Sequence, residues 1–222
     1  MIETVCGAKP LPRDTAPTLP AIGPINLSTL ISDPNNGDTS RIPVEIEIGP
    51  GRGSFLIQRA SNNPDIAIIG FEIRLKLAKL VDDKLSTLGL HDRARVFAAD
   101  ARSVLPRLTP DERVSAFYLH FPDPWWKKRH QKRAVISPSL IGEIIRLLVP
   151  HGIVFVQTDV PERSDQFESL LSASTSLAPF GDVPGSPRLS QTPWREKSNR
   201  EIRVIEAGIE PTRLCYRKTR ES

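Results

Sequence analysis

Short apolar runs that stop at an acid recur along this chain. Val44 to Ile48 is apolar but for Glu45 and Glu47, Ile66 to Phe71 is a continuous apolar run closing on Glu72, and Arg95 to Ala99 closes on Asp100. Val114 to Leu119 runs into His120, and Gly152 to Gln157 ends at Thr158-Asp159. Runs of this length between turn residues predict strands. Helical spacing fills the gaps between them. Phe55, Leu56, Arg59 and Ala60 fit a short helix ending before Asn62-Asn63-Pro64, and Leu77, Leu80, Val81, Leu85 and Leu88 fit a longer one that Gly89 terminates. Ser137-Pro138 is a cap followed by proline, opening a helix whose buried face is Leu140, Ile141, Ile144, Ile145 and Leu148. A further helix is expected from Glu162 to Leu171, and Arg213 to Arg217 is a last strand, expected antiparallel and at a sheet edge. Strand and helix in alternation predict an open α/β sheet.

In such a sheet the binding crevice lies outside the carboxyl ends of the strands. That is where Glu47, Glu72 and Asp100 fall. Each acid alone would serve as well for a helix cap or a surface group, but three on one edge point to a site. The turn after the first strand, Gly49-Pro50-Gly51-Arg52-Gly53, supports this. Glycine lets the backbone approach a ligand, and the helix that follows presents unpaired N–H groups. The same pattern also serves as a bare connection. With Glu72 at the separation expected of a ribose-binding acid, the pair favours an adenosine-containing ligand.

The most unusual stretch is His120-Phe121-Pro122-Asp123-Pro124-Trp125-Trp126, followed by the basic run to Arg133. Two prolines hold Asp123 in a non-helical loop just past a strand end. From Asp123 to Arg133, Lys127, Lys128, Arg129, Lys132 and Arg133 face one acid, as much net charge as the +4 of the whole chain. Aromatic rings beside clustered cations suit a protein that stacks a base while gripping phosphates. Against this stand the plainer roles of core anchor, turn former and solvated charge run. His120 and His130 share no metal-ligand spacing with His91 and His151, so structural or surface roles and no metal site are expected.

Composition narrows the class. The 222 residues suit one domain plus a tail, residues 1–24 being a proline-rich tail expected to be disordered and 25–222 the domain. Ile25 to Ile31 is an apolar patch able to pack on that domain. Hydrophobic residues make up 39% with no run long enough to span a membrane, the start lacks the pattern of a secretion signal, and Cys6 and Cys215 form no disulfide framework. A cytoplasmic protein with reduced thiols is expected.

Glu47-Ile48-Gly49-x-Gly51-x-Gly53, Gly70-x-Glu72, Asp100-Ala101, the Phe121-Pro122-Asp123-Pro124-Trp125 block with its basic run, and Thr158-Asp159 resemble the bacterial TrmB family of tRNA (guanine-N7-)-methyltransferases, from roughly Ile25 to the C-terminus. The resemblance implies a Rossmann-like class I methyltransferase fold, with a seven-stranded, mostly parallel sheet, an antiparallel last strand and helices on both faces. It implies S-adenosyl-L-methionine as cofactor, tRNA as partner, and methylation of guanine 46 in the variable loop. It assigns Glu47, Gly49, Gly51, Glu72, Asp100 and Asp123 to the cofactor, with Asp123 also catalytic. Lys127 and Asp159 fall on guanosine-binding positions, as do Ser198 and Glu201 of Ser198-Asn199-Arg200-Glu201, where many members carry Thr-Lys-Phe-Glu. Arg129, Lys132 and Arg133 would bind tRNA phosphates, and a monomer or homodimer is expected. Ala134 replaces an arginine common in the family.

Two other readings compete. A nicotinamide-dependent dehydrogenase would share the glycine turn and Glu72, but its fingerprint is Gly-x-Gly-x-x-Gly and here Gly53 arrives one residue early. A non-catalytic RNA-binding protein on the same fold would not need acids at every cofactor position.

Overall fold

The computed structural model describes residues 16–31, 42–122 and 136–220. Asp123, Lys127, Arg129, Lys132 and Arg133 lie outside the described residues, as do both tryptophans of the Pro-Asp-Pro-Trp block.

Among the described residues, ten strands and six helices of four residues or more follow one another: β1 Ile25–Asn26, β2 Val44–Ile48, α1 Ser54–Asn62, β3 Ala67–Glu72, α2 Leu75–Thr87, β4 Ala94–Ala98, α3 Ala101–Val104, β5 Leu108–Thr109, β6 Val114–His120, α4 Pro138–Leu147, β7 Leu148–Thr158, α5 Pro161–Ser172, β8 Leu177–Pro179, β9 Arg188–Leu189, α6 Asn199–Glu206 and β10 Thr212–Lys218. The main sheet runs β4-β3-β2-β6-β7-β10-β8, and β9 adds an eighth, two-residue strand against β10. Strands β4 to β7 along this order are parallel, whereas β10 is antiparallel to β7 and to β8.

One expectation is corrected. Strand β10 is not at the sheet edge, because β8 pairs with Tyr216 to Lys218 and takes that place. Three residues ending in proline give almost no strand signal, and Pro179, lacking an N–H, suits an outermost strand.

Alternation along β2 decides what each face receives. Val44, Ile46 and Ile48 join the apolar cluster shared with α4 and α5, while Phe55, Val81, Tyr118 and Phe155 build the cluster on the α1 and α2 side. Glu45 and Glu47 therefore point into that second side. Leu27 is fully buried in the first cluster, so the Ile25 to Ile31 patch packs on the domain as its composition suggests. Upstream, Pro17 accepts from the Ala98 N–H at 3.2 Å and Arg107 donates to the carbonyls of Pro20 and Gly23.

Candidate active site

The chain leaves β2 outward through β3 and β4, then returns to the other side of β2 as β6. The strand order reverses between β2 and β6, and a crevice opens outside the carboxyl ends there. It is a cavity of about 480 Å³ walled by Ile48-Gly49, Phe71 to Arg74, Ala99 to Arg102 and His120 to Pro122. Four strand ends thus contribute one wall each.

Gly49, Gly51 and Gly53 all have positive φ, at 72°, 60° and 73°. A side chain on Gly49 would meet nothing within 4 Å, so its backbone faces open space. Glu72, buried at the end of β3, ties the loop down. One carboxylate oxygen accepts from Gly51 N at 2.9 Å and the other from Arg74 N and Nε, both at 2.9 Å. Arg74 Nη2 adds a fourth, longer contact of 3.4 Å to the first oxygen, so the roughly four positions a carboxylate offers are taken and a ligand's hydroxyl would displace this weakest one. Asp100 caps α3 through Arg102 N at 3.0 Å and pairs with the Arg102 guanidinium at 2.6 Å. These hydrogen bonds from Arg102 hold the Asp100 carboxyl below its ordinary range, against the opposing effect of burial.

Glu47 is placed differently from the other two acids. It stands behind the wall, and its Oε1 meets His120 Nδ1 at 2.9 Å, with both side chains almost wholly buried. His120 is the residue of this pair that reaches the cavity. Its ring is held between Phe55 at 4.3 Å and Phe155 at 5.7 Å. Glu47 Oε2, His120 Nε2 and both amide atoms of the neighbouring Gln157 are buried without a partner among the described residues.

Phe121 and Pro122 lead from β6 toward Asp123. Phe121 has φ 49°, a conformation rare for a bulky residue, and its N–H is anchored on Gln157 O at 2.7 Å. Across from it, Asp159 accepts from Arg200 Nε and Nη2 at 3.2 and 2.6 Å, both on Oδ2, and the Arg200 guanidinium lies 6.0 Å from the Phe121 ring centre. Ser198 caps α6 by accepting from Glu201 N at 3.1 Å. Glu201 is buried, with Arg213 Nη2 at 3.6 Å as its nearest cation. Gly49, Glu72 and Asp100 are thus brought to one cavity, with Gly51 tied to it through Glu72, and Asp159, Ser198 and Glu201 belong to the α6 side. His120 and Arg200 were missed. The signal for His120 was its position as the last residue of β6; for Arg200 it was the Ser-x-x-Glu capping pattern that opens a helix facing Asp159.

The cavity fits S-adenosyl-L-methionine: open backbone at Gly49, acids at the ends of β3 and β4, and an orphaned polar side chain at the end of β6. Comparison with known proteins agrees. A family model described as "Putative methyltransferase" matches residues 41–214. A tRNA (guanine-N(7)-)-methyltransferase from Myxococcus xanthus is 34% identical over 166 residues, covering 75% of this chain and 79% of the relative. The chain belongs to the tRNA (guanine-N(7)-)-methyltransferase family. Another member, from Microcystis aeruginosa, is 35% identical over 70% of this chain and 71% of its own. Among solved structures, a SAM-dependent O-methyltransferase from Thermotoga maritima aligns with TM-score 0.53 at 17% identity, covering 83% of this chain and 62% of that one. The 16S rRNA methyltransferase KamB aligns with TM-score 0.53 at 11% identity, covering 82% and 90%. These two bear on the fold alone, which they share with this family member. Among the described residues, no helix is long and apolar enough to cross a membrane, and no three His, Cys, Asp or Glu residues are grouped to hold a metal.

Proposed function

We infer that this chain transfers the methyl group of S-adenosyl-L-methionine to N7 of a guanosine in tRNA, guanine 46 of the variable loop. The observation that carries this reading is the cavity at the strand reversal, with Glu72 and Asp100 in its wall and the strained Phe121-Pro122 exit leading directly into Asp123.

When bound, the sulfonium supplies an electrophilic methyl group. Guanine N7 has an in-plane lone pair and no proton, so no strong base is needed and catalysis rests on position and electrostatics. Glu72 would hold the ribose hydroxyls and Asp100 the adenine edge. Gly49 and Gly51 would shape the loop. Asp123 would orient the guanine and stabilise the positive charge that develops on its imidazole ring. Lys127, Asp159, Ser198 and Glu201 would contact the guanosine, and Arg129, Lys132 and Arg133 the tRNA phosphates. The Ser198 hydroxyl is already a cap, but it retains a donor for this second use. A cytoplasmic monomer or homodimer, built as a tail of residues 1–24 and a domain of 25–222, completes the proposal.

The test is methyl transfer from labelled S-adenosyl-L-methionine to an unmodified tRNA transcript, then borohydride and aniline cleavage, which cuts at 7-methylguanosine. One cut in the variable loop is expected. Labelling without that cut would move the target; tRNA binding without labelling would favour a non-catalytic RNA-binding protein.

A further inference from the structure

The buried pair behind the cavity wall is unfinished. Glu47 Oε1 and His120 Nδ1 satisfy each other at 2.9 Å, yet Glu47 Oε2 and His120 Nε2 have no partner among the described residues. His120 is 8% exposed, lines the cavity, and is fixed in orientation by Phe55 and by Tyr118, whose ring is parallel to it within 4°. Nε2 is itself buried, and a rigid ring with an unpartnered nitrogen in the wall of a ligand cavity calls for a ligand atom.

Chemistry selects which atom. A carboxylate only accepts, so Nδ1 carries the hydrogen shared with Glu47, and in the neutral ring Nε2 is left as an acceptor. The carboxylate behind the ring fixes this tautomer and makes the surroundings negative, as it does for histidines that bind metals. An acceptor in a negative corner suits an ammonium group and repels a carboxylate. We propose that His120 Nε2 receives a hydrogen bond from the α-ammonium of the cofactor's amino-acid end, and that Glu47 acts at this site through His120, as a positioning residue. This rests on the reading of the cavity as the S-adenosyl-L-methionine site. His120 is a binding residue here and takes no part in the methyl transfer itself.

Two ligands and two variants test it. S-adenosylhomocysteine carries the amino-acid end, whereas 5′-methylthioadenosine has the same adenosine and thioether without it. In His120→Asn the amide nitrogen stands where Nδ1 was, keeping Glu47 partnered and removing only Nε2. In His120→Gln the amide end stands where Nε2 was. By calorimetric titration, His120→Asn should weaken S-adenosylhomocysteine about 10-fold, the loss of one charge-assisted hydrogen bond, and leave methylthioadenosine within about 2-fold of wild type. His120→Gln should recover part of the loss. Equal weakening of both ligands by His120→Asn would mean that the histidine only supports the structure, and unchanged affinity for both would mean that it touches nothing; either overturns the proposal. If His120→Asn does not fold, a His120→Gln protein that loses both ligands equally overturns it as well. A wild-type protein that binds neither ligand would instead overturn the cofactor site itself, and the proposal with it.

Discussion

Glu45 and Glu47 lie two residues apart on the same face of the same strand, and both are buried, yet one is finished and the other is not. Glu45 accepts from Arg59 Nε and Nη2 at 2.9 and 2.8 Å through both oxygens, and Arg59 in turn lies 3.6 Å from Glu196, which accepts from Asn62 and Asn63. Arginine, acids and amides close on one another, and both oxygens of Glu45 are satisfied; only the outlying Glu196 Oε2, 3.6 Å from Arg59, is left without a hydrogen bond among the described residues. Glu47 has one histidine, and past that histidine the contacts stop at a cavity. Leaving a buried polar atom unpaired costs about 1–3 kcal/mol. Glu47 Oε2, His120 Nε2 and the Gln157 amide are left in this way in one corner beside the cavity. Between these two acids of one strand the difference is saturation, since residue type and burial do not tell them apart.

The largest effect should appear at the residue to which the unfinished end leads. Asp123→Ala is expected to lower turnover by about 100- to 1,000-fold, as loss of a preorganised charge contact does, with a much smaller change in S-adenosylhomocysteine affinity. Parallel losses in both quantities would remove Asp123 from the chemistry. The comparison itself is sharpened by a crossed pair of substitutions. Arg59→Ala strands Glu45 and should cost about 3 kcal/mol in denaturant unfolding with ligand affinity unchanged, whereas Glu47→Ala should weaken S-adenosylhomocysteine about 10-fold at a smaller stability cost. The opposite assignment of effects would break the comparison.

A middle-sized effect is expected from the basic run. Lys132→Ala together with Arg133→Ala should reduce the slope of log affinity for tRNA against log salt by about 1–2 units; an unchanged slope takes both residues out of the interface. The smallest effect concerns Arg102. Its hydrogen bonds hold the Asp100 carboxyl below the ordinary value of 3.8, so the pair stabilises the folded chain above that pH and loses the contribution as pH falls through the lowered value. Both side chains are partly exposed and screened, so Arg102→Ala should cost at most about 1 kcal/mol at neutral pH. The difference from wild type should fade on acidification below 3.8. A difference that persists in acid would assign the effect to packing.

Much of this was legible before any coordinates. Apolar runs marked β2, β3, β4, β6 and β7 because their side chains are buried on both faces, and the terminal acids stood out against that background. The interior place of β10 was not legible, since it depends on a three-residue partner across the sheet. Helix α6 was not read: it is short and polar over most of its length, and its cap at Ser198 lay inside the stretch matched to the family's substrate motif. The contrast between Glu45 and Glu47 could not be read at all. It is set by Arg59 on one side and His120 on the other, and pairing across elements leaves no mark in local spacing. For the same reason a histidine without metal-ligand spacing looked ordinary.

The three glycines after β2 are identical letters answering to different neighbours. At Gly49 an added side chain would point into open space, but at Gly53 it would strike the Val81 methyls at 2.4 and 2.8 Å. Val81 belongs to α2, which packs on the same side of the sheet as α1. Backbone conformation keeps both glycines small, since a side chain at positive φ is strained whatever the space; at position 53 the helix adds a steric bar that a smaller residue at position 81 would lift only in part, while position 49 stays indifferent to position 81.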